Sequence, residues 1–193
     1  MTRPSADEIV YGLSRTTLGW AVAAASPRGL CALFLHEDRN TLRSLLLKDF
    51  PSARAATPRH PLRPLIQAGL EAVRRAGATQ GKARRGTPPL DLRGTPFQRA
   101  VWRSLLKIPR SKTASYREVA EGLGLPRAAR AVAAACAANR VAVLVPCHRV
   151  VRGDGSLSGY RWGVARKRAL LEAESASAAS VRLKRAGSSK NAE

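Results

Sequence analysis

The sequence predicts two unlike halves: an α/β unit, then a mostly helical unit carrying a helix-turn-helix and a short strand. Three observations lead there. Apolar runs at residues 19–25 and 29–35 flank Ser26-Pro27-Arg28-Gly29, a strong turn signal between strands. Two capping signatures, Thr95-Pro96-Phe97-Gln98 and Ser115-Tyr116-Arg117-Glu118, open helices in the second half. The apolar run Val141-Ala142-Val143-Leu144-Val145 ends at Pro146 and reads as a strand buried on both faces.

Taken in order, residues 9–35 read as β structure, with Cys31 in the core. Residues 41–50 have helical spacing, with Leu42, Leu45 and Leu46 inward, and stop at Pro51. A second helix covers 62–75, with Leu65, Ile66, Leu70 and Val73 on one stripe. Residues 77–90 are rich in Gly, Pro, Lys and Arg and read as a linker, which closes a first domain at 1–90. The second domain is expected over 91–174. Its first helix runs from Pro96 to about 107 and buries Phe97, Val101, Trp102, Leu105 and Leu106. A short helix follows at 116–123, broken by Gly122-Leu123-Gly124, and another from Arg127 to about 138.

Helix, Gly-containing turn and helix form a helix-turn-helix signature, in which the second helix recognises nucleic acid. Arg127 and Arg130 punctuate a face of small residues at Ala128, Ala129, Ala131, Ala133 and Ala134. Such a face lets the backbone approach a narrow groove, or lets the helix pack tightly on a neighbour. After the expected strand, a loop at 150–163 gathers Tyr160, Arg161 and Trp162. A last helix covers 164–174, and 175–193 read as a disordered basic tail.

The net charge is +21, from 34 Lys+Arg against 13 Asp+Glu, which points to a polyanionic partner, most often nucleic acid. The alternative is a solvated surface from an Arg- and Ala-rich composition. No apolar run approaches the ~20 residues that span a bilayer, and no signal peptide precedes the first turn. A cytoplasmic, nucleoid-associated monomer is expected. The 3 cysteines, Cys31, Cys136 and Cys147, lack Cys-x-x-Cys spacing, and His36, His60 and His148 are scattered. Neither a disulfide framework nor a metal or cofactor site is expected.

Cys147 lies past the Pro-terminated run with His148 and Arg149 beside it. A thiol there has a fixed direction, and its basic neighbours can favour the thiolate, the form that attacks carbon. The competing reading is one more buried cysteine.

These residues resemble a known family. Pro146-Cys147-His148-Arg149-Val150, Asn139 ahead of them, Ser115-Tyr116, Pro126-Arg127-Ala128-Ala129-Arg130-Ala131-Val132 and Gly159-Tyr160-Arg161-Trp162-Gly163 look like the bacterial O6-alkylguanine-DNA alkyltransferases, or methylated-DNA–protein-cysteine methyltransferases. The likeness is greatest to the C-terminal half of the adaptive-response members. It is dense over 92–174 and weaker over 8–90, where it implies a ribonuclease-H-like α/β domain. It further implies base flipping in double-stranded DNA and irreversible, single-turnover transfer of an alkyl group from guanine O6, or thymine O4, to Cys147. His148, with Glu174 and a water, would take the thiol proton, and Asn139 would brace the turn. Arg130 would fill the gap left by the flipped base, and Tyr116 would press the target phosphate. Tyr160, Arg161, Trp162 and Val150 would form the base pocket, with Trp162 restricting its size. Arg127, Ala128, Ala129, Ala131, Ser115 and Thr95 would complete the DNA-facing set. The cysteine-rich zinc module of the adaptive-response members has no counterpart here, so neither zinc nor a regulatory role is expected.

Two rival readings remain. A non-enzymatic helix-turn-helix regulator would make Cys147 structural. A cysteine hydrolase using Cys147 and His148 would turn over, whereas an acceptor protein stops.

Overall fold

The computed structural model describes residues 8–78 and 87–188. The middle of the expected linker (79–86) and the end of the expected tail (189–193) lie outside the described residues. Strands β1 (Val10–Thr16), β2 (Gly19–Ser26) and β3 (Gly29–His36) form an antiparallel meander. Strand β4 (Arg54–Ala55) joins β1 in parallel, so the mixed sheet runs β3-β2-β1-β4. Helices α1 (Arg39–Asp49) and α2 (Arg63–Ala76) pack on it. Helix α1 starts ahead of the expected position because the Asp38 carboxylate accepts the Thr41 N–H at 2.7 Å. It buries Leu42 and Leu46 and leaves Leu45 at the surface. In β2 every residue from Ala21 to Ala25 is buried, so both faces of this strand are covered. Its small side chains let α2 come close: a Cβ on Gly69 would stand 3.2 Å from that of Ala23.

The second half is mostly helical: α3 (Pro96–Leu105), α4 (Tyr116–Gly122), α5 (Ala129–Ala137) and α6 (Val164–Ser188). Two short parallel strands, β5 (Ala114–Ser115) and β6 (Val150–Val151), pair between them. Both capping boxes form. Thr95 Oγ1 accepts from Gln98 N at 3.2 Å and Ser115 Oγ from Glu118 N at 3.1 Å, with the Gln98 and Glu118 side chains reaching back. Val101, Trp102 and Leu105 enter the core, whereas Phe97 is half-buried and Leu106 is exposed. The Trp102 indole N–H donates to the Ala135 carbonyl at 2.8 Å, fixing α3 against α5.

Three expectations are corrected. The run 141–145 is not a strand. Only Val141 bridges to Leu33; the chain then coils, with Val143 at φ 68° and Val145 N–H bonded to Val141 O at 3.0 Å. Val141, Ala142 and Val145 are buried as expected, but burial of a short apolar run does not distinguish a strand from a compact turn. Residues 175–188 are helical rather than a disordered tail, since Ala176, Ala178, Ala179, Arg182, Leu183, Lys184 and Arg185 can extend an existing helix without a nucleation penalty. Helix α5 begins at Ala129, so Arg127 lies in the preceding turn and Ala128 caps the helix.

The two halves meet along β3, the edge of the sheet. Leu30 N–H donates to Pro89 O at 2.8 Å and Asp91 N–H to Leu30 O at 2.9 Å. Farther along, Leu33 N–H donates to Arg140 O at 2.8 Å and Ala142 N–H to Leu33 O at 3.0 Å. The exposed row of backbone groups on an edge strand is thereby satisfied from within the chain. Gly29 makes this approach possible: its φ is +138°, and a Cβ would stand 2.4 Å from Pro89 O. Gly29→Ala should therefore destabilise the fold by ~2–3 kcal/mol, seen as a lower urea midpoint at unchanged slope. An unchanged midpoint would show that this contact is not needed.

Candidate active site

A cavity of about 560 Å³ opens between α5 and the loop that precedes α6. Cys147 lies in its wall, in a single 3₁₀ turn (Cys147–Arg149) just after Pro146. The coil before this turn is held by Asn139, which is 1% exposed. Asn139 Nδ2 donates to Val145 O and to Cys147 Sγ, each at 3.0 Å, while Oδ1 accepts from Val141 N at 2.8 Å. Burial pushes the Cys147 thiol up to about 11, against the opposing pull of the Asn139 hydrogen bond and the Lys167 charge. The neighbouring basic residues expected to favour the thiolate are outweighed by burial. Arg149 is turned away toward Glu174, and the thiol stays protonated at neutral pH until a base takes its proton.

The next residue in the chain carries an imidazole. His148 is 1% exposed; its Nε2 lies 3.2 Å from Glu174 Oε1, and its Nδ1 is buried without a protein partner. Desolvation lowers the His148 pKa and outweighs the pull of Glu174, so the ring is neutral at pH 7. Glu174 is also gripped by Arg149, with Nη2 at 2.7 Å from Oε1 and Nε at 3.0 Å from Oε2, and by the Ser111 N–H at 3.2 Å. Burial opposes ionisation of Glu174, but the bonds from His148 and Arg149 and their charges prevail and hold its pKa at about 2. An ionised Glu174 accepts the Nε2 proton of the neutral ring, which leaves Nδ1 as the basic atom.

Around the thiol, Tyr116 at the start of α4 shares a 2.6 Å hydrogen bond with Ser158 Oγ. Tyr160 lines the same cavity with a buried hydroxyl that has no partner, and burial raises its pKa well above the usual phenol value. Lys167, fully buried, donates to Val150 O at 2.6 Å and to Ser158 Oγ at 3.0 Å. Burial lowers its pKa. Ala133, Cys136 and Ala137 give the α5 side of the wall, and Arg152 completes its rim.

The sequence-selected residues divide into those the fold brings together and those it does not. Cys147, His148, Glu174 and Asn139 form one contiguous cluster, with Tyr116 and Tyr160 across the cavity. Val150 is buried at the start of β6 and does not line the cavity; its carbonyl serves Lys167. Arg161 lines the cavity, but its guanidinium leaves toward Asp49 Oδ2 at 3.0 Å and stacks near Phe34 and Trp162. Trp162 is 4% exposed against Phe34, ring centroids 4.8 Å apart, and lies outside the cavity wall. The expectation that its indole restricts the pocket is corrected: the indole is drawn into the apolar seam between the halves. Arg130 and Ala131 are exposed on α5, with Ala129 half-buried beside them and Arg127 and Ala128 just before the helix. Ser115 and Thr95 serve as helix caps, and Thr95 lies outside the cavity wall.

A family model described as "6-O-methylguanine DNA methyltransferase, DNA binding domain" matches residues 96–176, which contain the whole cluster. The methylated-DNA–protein-cysteine methyltransferase of Lodderomyces elongisporus is 35% identical over 190 residues, covering 86% of this chain and 92% of that protein. The chain belongs to this methyltransferase family. The bifunctional transcriptional activator/DNA repair enzyme Ada of Escherichia coli is 48% identical over 167 residues, 85% of this chain and 45% of that protein. The methylated-DNA–protein-cysteine methyltransferase of Mycobacterium tuberculosis is 56% identical over 85 residues, 44% of this chain and 52% of that one. The chain thus spans about half the length of these two relatives. Among solved structures, Mycobacterium tuberculosis OGT in complex with DNA matches with a TM-score of 0.70 at 33% identity, over 87% of this chain and 94% of that chain.

In this family member, sequence reasoning missed Lys167, Ser158, Cys136 and Arg152. For Lys167 a signal existed. Lys167, Leu170 and Glu174 share one stripe of α6 at helical spacing, so a buried Leu170 and a functional Glu174 imply an inward Lys167. The proton balance of the cluster gives a pH prediction. The unfolded chain takes up a proton on His148 near its ordinary 6.5 that the native ring resists, and on Glu174 near 4.5 where the native pKa is about 2. Stability should hold above pH 6.5, then fall on acidification below 6.5 and more steeply below 4.5. In Glu174→Gln the lower stage should shrink. An unchanged slope between pH 5 and 3 in urea unfolding of that variant would show that the Glu174 carboxylate is not the linked group.

Proposed function

We propose that this chain repairs alkylated duplex DNA by direct reversal, moving a methyl or other small alkyl group from O6-alkylguanine, and from O4-alkylthymine, onto Cys147 once per molecule. The single observation that carries this reading is a thiol facing a base-sized cavity, backed by a neutral histidine whose Nε2 is held by an ionised Glu174. A flipped base seated in the cavity brings its O-alkyl carbon to Sγ. A water relays the thiol proton to His148 Nδ1, and Sγ attacks the sp³ carbon. The C–S bond forms as the C–O bond breaks, and the electron pair stays on the base oxygen. The base takes up the proton and leaves as an ordinary nucleobase. The product thioether has no leaving route, so the protein is consumed. Asn139 positions the sulfur, Tyr116 and Tyr160 hold the extruded nucleotide, and Arg149 keeps Glu174 ionised.

Duplex DNA as partner is supported by the family description and by the DNA complex of the Mycobacterium tuberculosis relative. We read Arg130 as the side chain that fills the vacated stack, with Arg127, Ala128, Ala129 and Ala131 along the groove and Ser115 and Thr95 near the backbone. The net charge of +21 supplies the phosphate attraction. No helix among the described residues is long and apolar enough to cross a membrane, and a monomer acting on cytoplasmic, nucleoid DNA suits this reading. We also read the N-terminal half as ribonuclease-H-like, supported by three antiparallel strands with a parallel fourth, and set the domain boundary near residue 90.

Intact-mass measurement after incubation with methylated duplex should show one added alkyl group per chain, reaching a plateau that longer incubation does not raise. Peptide mapping should find it on Cys147, and Cys147→Ser should bind DNA without reacting. Continued turnover would favour a hydrolase, and label on Cys31 or Cys136 would overturn the assignment. Arg130→Ala should slow the duplex reaction about 10-fold or more while reaction with free O6-methylguanine changes far less, because only the duplex requires extrusion. Equal losses on both substrates would remove the extrusion role.

A further inference from the structure

Arg152 has no place in the chemistry above, yet its side chain helps to line the cavity. It is exposed and makes no side-chain hydrogen bond or ion pair among the described residues. The other guanidinium on the wall, Arg161, is committed to Asp49 and two aromatic rings. The backbone under Arg152 is firmly set. Its N–H donates to Ser156 O at 3.0 Å, and its carbonyl accepts from Gly155 N at 2.9 Å. The parallel register of β5 and β6 pairs Ser115 with Val151, so the next residues, Tyr116 and Arg152, emerge side by side at the ends of the two strands. The guanidinium is close enough to lower the pKa of Tyr116, against the larger effect of burial, whereas it does not figure among the influences on Cys147. Asp154, its nearest acidic neighbour in sequence, is occupied in capping Ser156 N–H at 2.9 Å.

Arg152 is therefore an uncommitted cation at the exposed mouth of the cavity, carried on a well-held backbone. A nucleotide whose base fills the cavity must leave its sugar and phosphates at that mouth. We propose that Arg152 holds a phosphate flanking the extruded nucleotide, acting with Tyr116 as a clamp outside the helix-turn-helix. This assignment rests on the base-flipping alkyl-transfer reading. An acidic group on the adduct itself is the other anion such a cation could meet. It would lie beside the buried Cys147, whereas Arg152 stands exposed. A charge-assisted, forked contact to phosphate suits arginine better than lysine.

The test uses full-length protein and single-turnover alkyl transfer. Substrates are a duplex with one O6-methylguanine, the free methylated base, and two duplexes in which the phosphate on one or the other side of the lesion is a neutral methylphosphonate. Arg152→Ala should slow transfer from the ordinary duplex about 10-fold, by a clearly larger factor than from the free base. It should also reduce the log–log salt slope by about 0.9. Arg152→Lys should recover part of the rate. One of the methylphosphonate duplexes should slow the wild type by a similar factor and slow Arg152→Ala no further, the coupling expected of two members of one contact. Losses that multiply at both phosphates, equal losses on duplex and free base, or no loss would each overturn the assignment. So would a variant that reacts normally with the methylated duplex but slowly with a carboxymethylated one, which would make the adduct the anion. A wild-type protein that leaves Cys147 unmodified by every substrate would sink the alkyl-transfer reading and this one together, whereas the other adverse results sink the phosphate clamp alone.

Discussion

The side chain of Asn139 is the interaction on which the active cluster depends. Its amide bonds Val141 N, Val145 O and Cys147 Sγ at once. The intervening coil includes Val143 in the left-handed region, which a β-branched residue adopts only under constraint. Without the amide, the buried Val141 N–H would lose its partner, Val145 O would keep only the Cys147 N–H at 2.8 Å, and the sulfur would lose its direction. Because Asn139 follows the C-terminus of α5, its N–H bonded to Cys136 O at 3.2 Å, the cavity wall and the thiol are positioned by the same short segment.

The N-terminal half contributes to the site mechanically. Its edge strand β3 takes the backbone of Arg140 and Ala142, and so holds the start of the Asn139 coil against a rigid sheet. Asp49 gathers Arg140 at 2.9 Å and Arg161 at 3.0 Å, one from before the thiol and one from the loop that closes the cavity. Trp162 on Phe34, with Arg166 reaching Leu18 O at 2.7 Å, extends the same seam. No N-terminal side chain among the described residues lines the cavity, yet the loop holding Tyr160 is anchored to that half.

Electrostatically the site separates its charges. Glu174 is ionised and shared between Arg149 and His148, while the Lys167 amine bonds Val150 O and Ser158 Oγ. Burial raises all three thiols, with Cys31 and Cys147 at about 11 and Cys136 at about 12. Acidity therefore does not single out Cys147. Geometry does, because only this sulfur combines the Asn139 bond, the adjoining histidine and a place in the cavity wall.

The turn between β2 and β3, both capping boxes and most of the stripes of α1, α2 and α3, Leu45 and Leu106 apart, could be read directly, because each depends on neighbours a few residues apart. The Pro146-Cys147-His148-Arg149 motif marked the segment that carries the cavity thiol for the same reason. By itself the sequence determined the two unlike halves, the position of the thiol and the polyanion-seeking charge. Only the tertiary structure decided that residues 141–145 coil instead of extending, since the partners of their backbone groups, Leu33 and the Asn139 amide, are chosen by packing. Only there does Trp162 turn into the seam between halves rather than into the cavity, because Phe34, remote in sequence, offers the apolar surface. Helical spacing turns Lys167 inward, but only the fold decides that Val150 O and Ser158 Oγ converge on its amine.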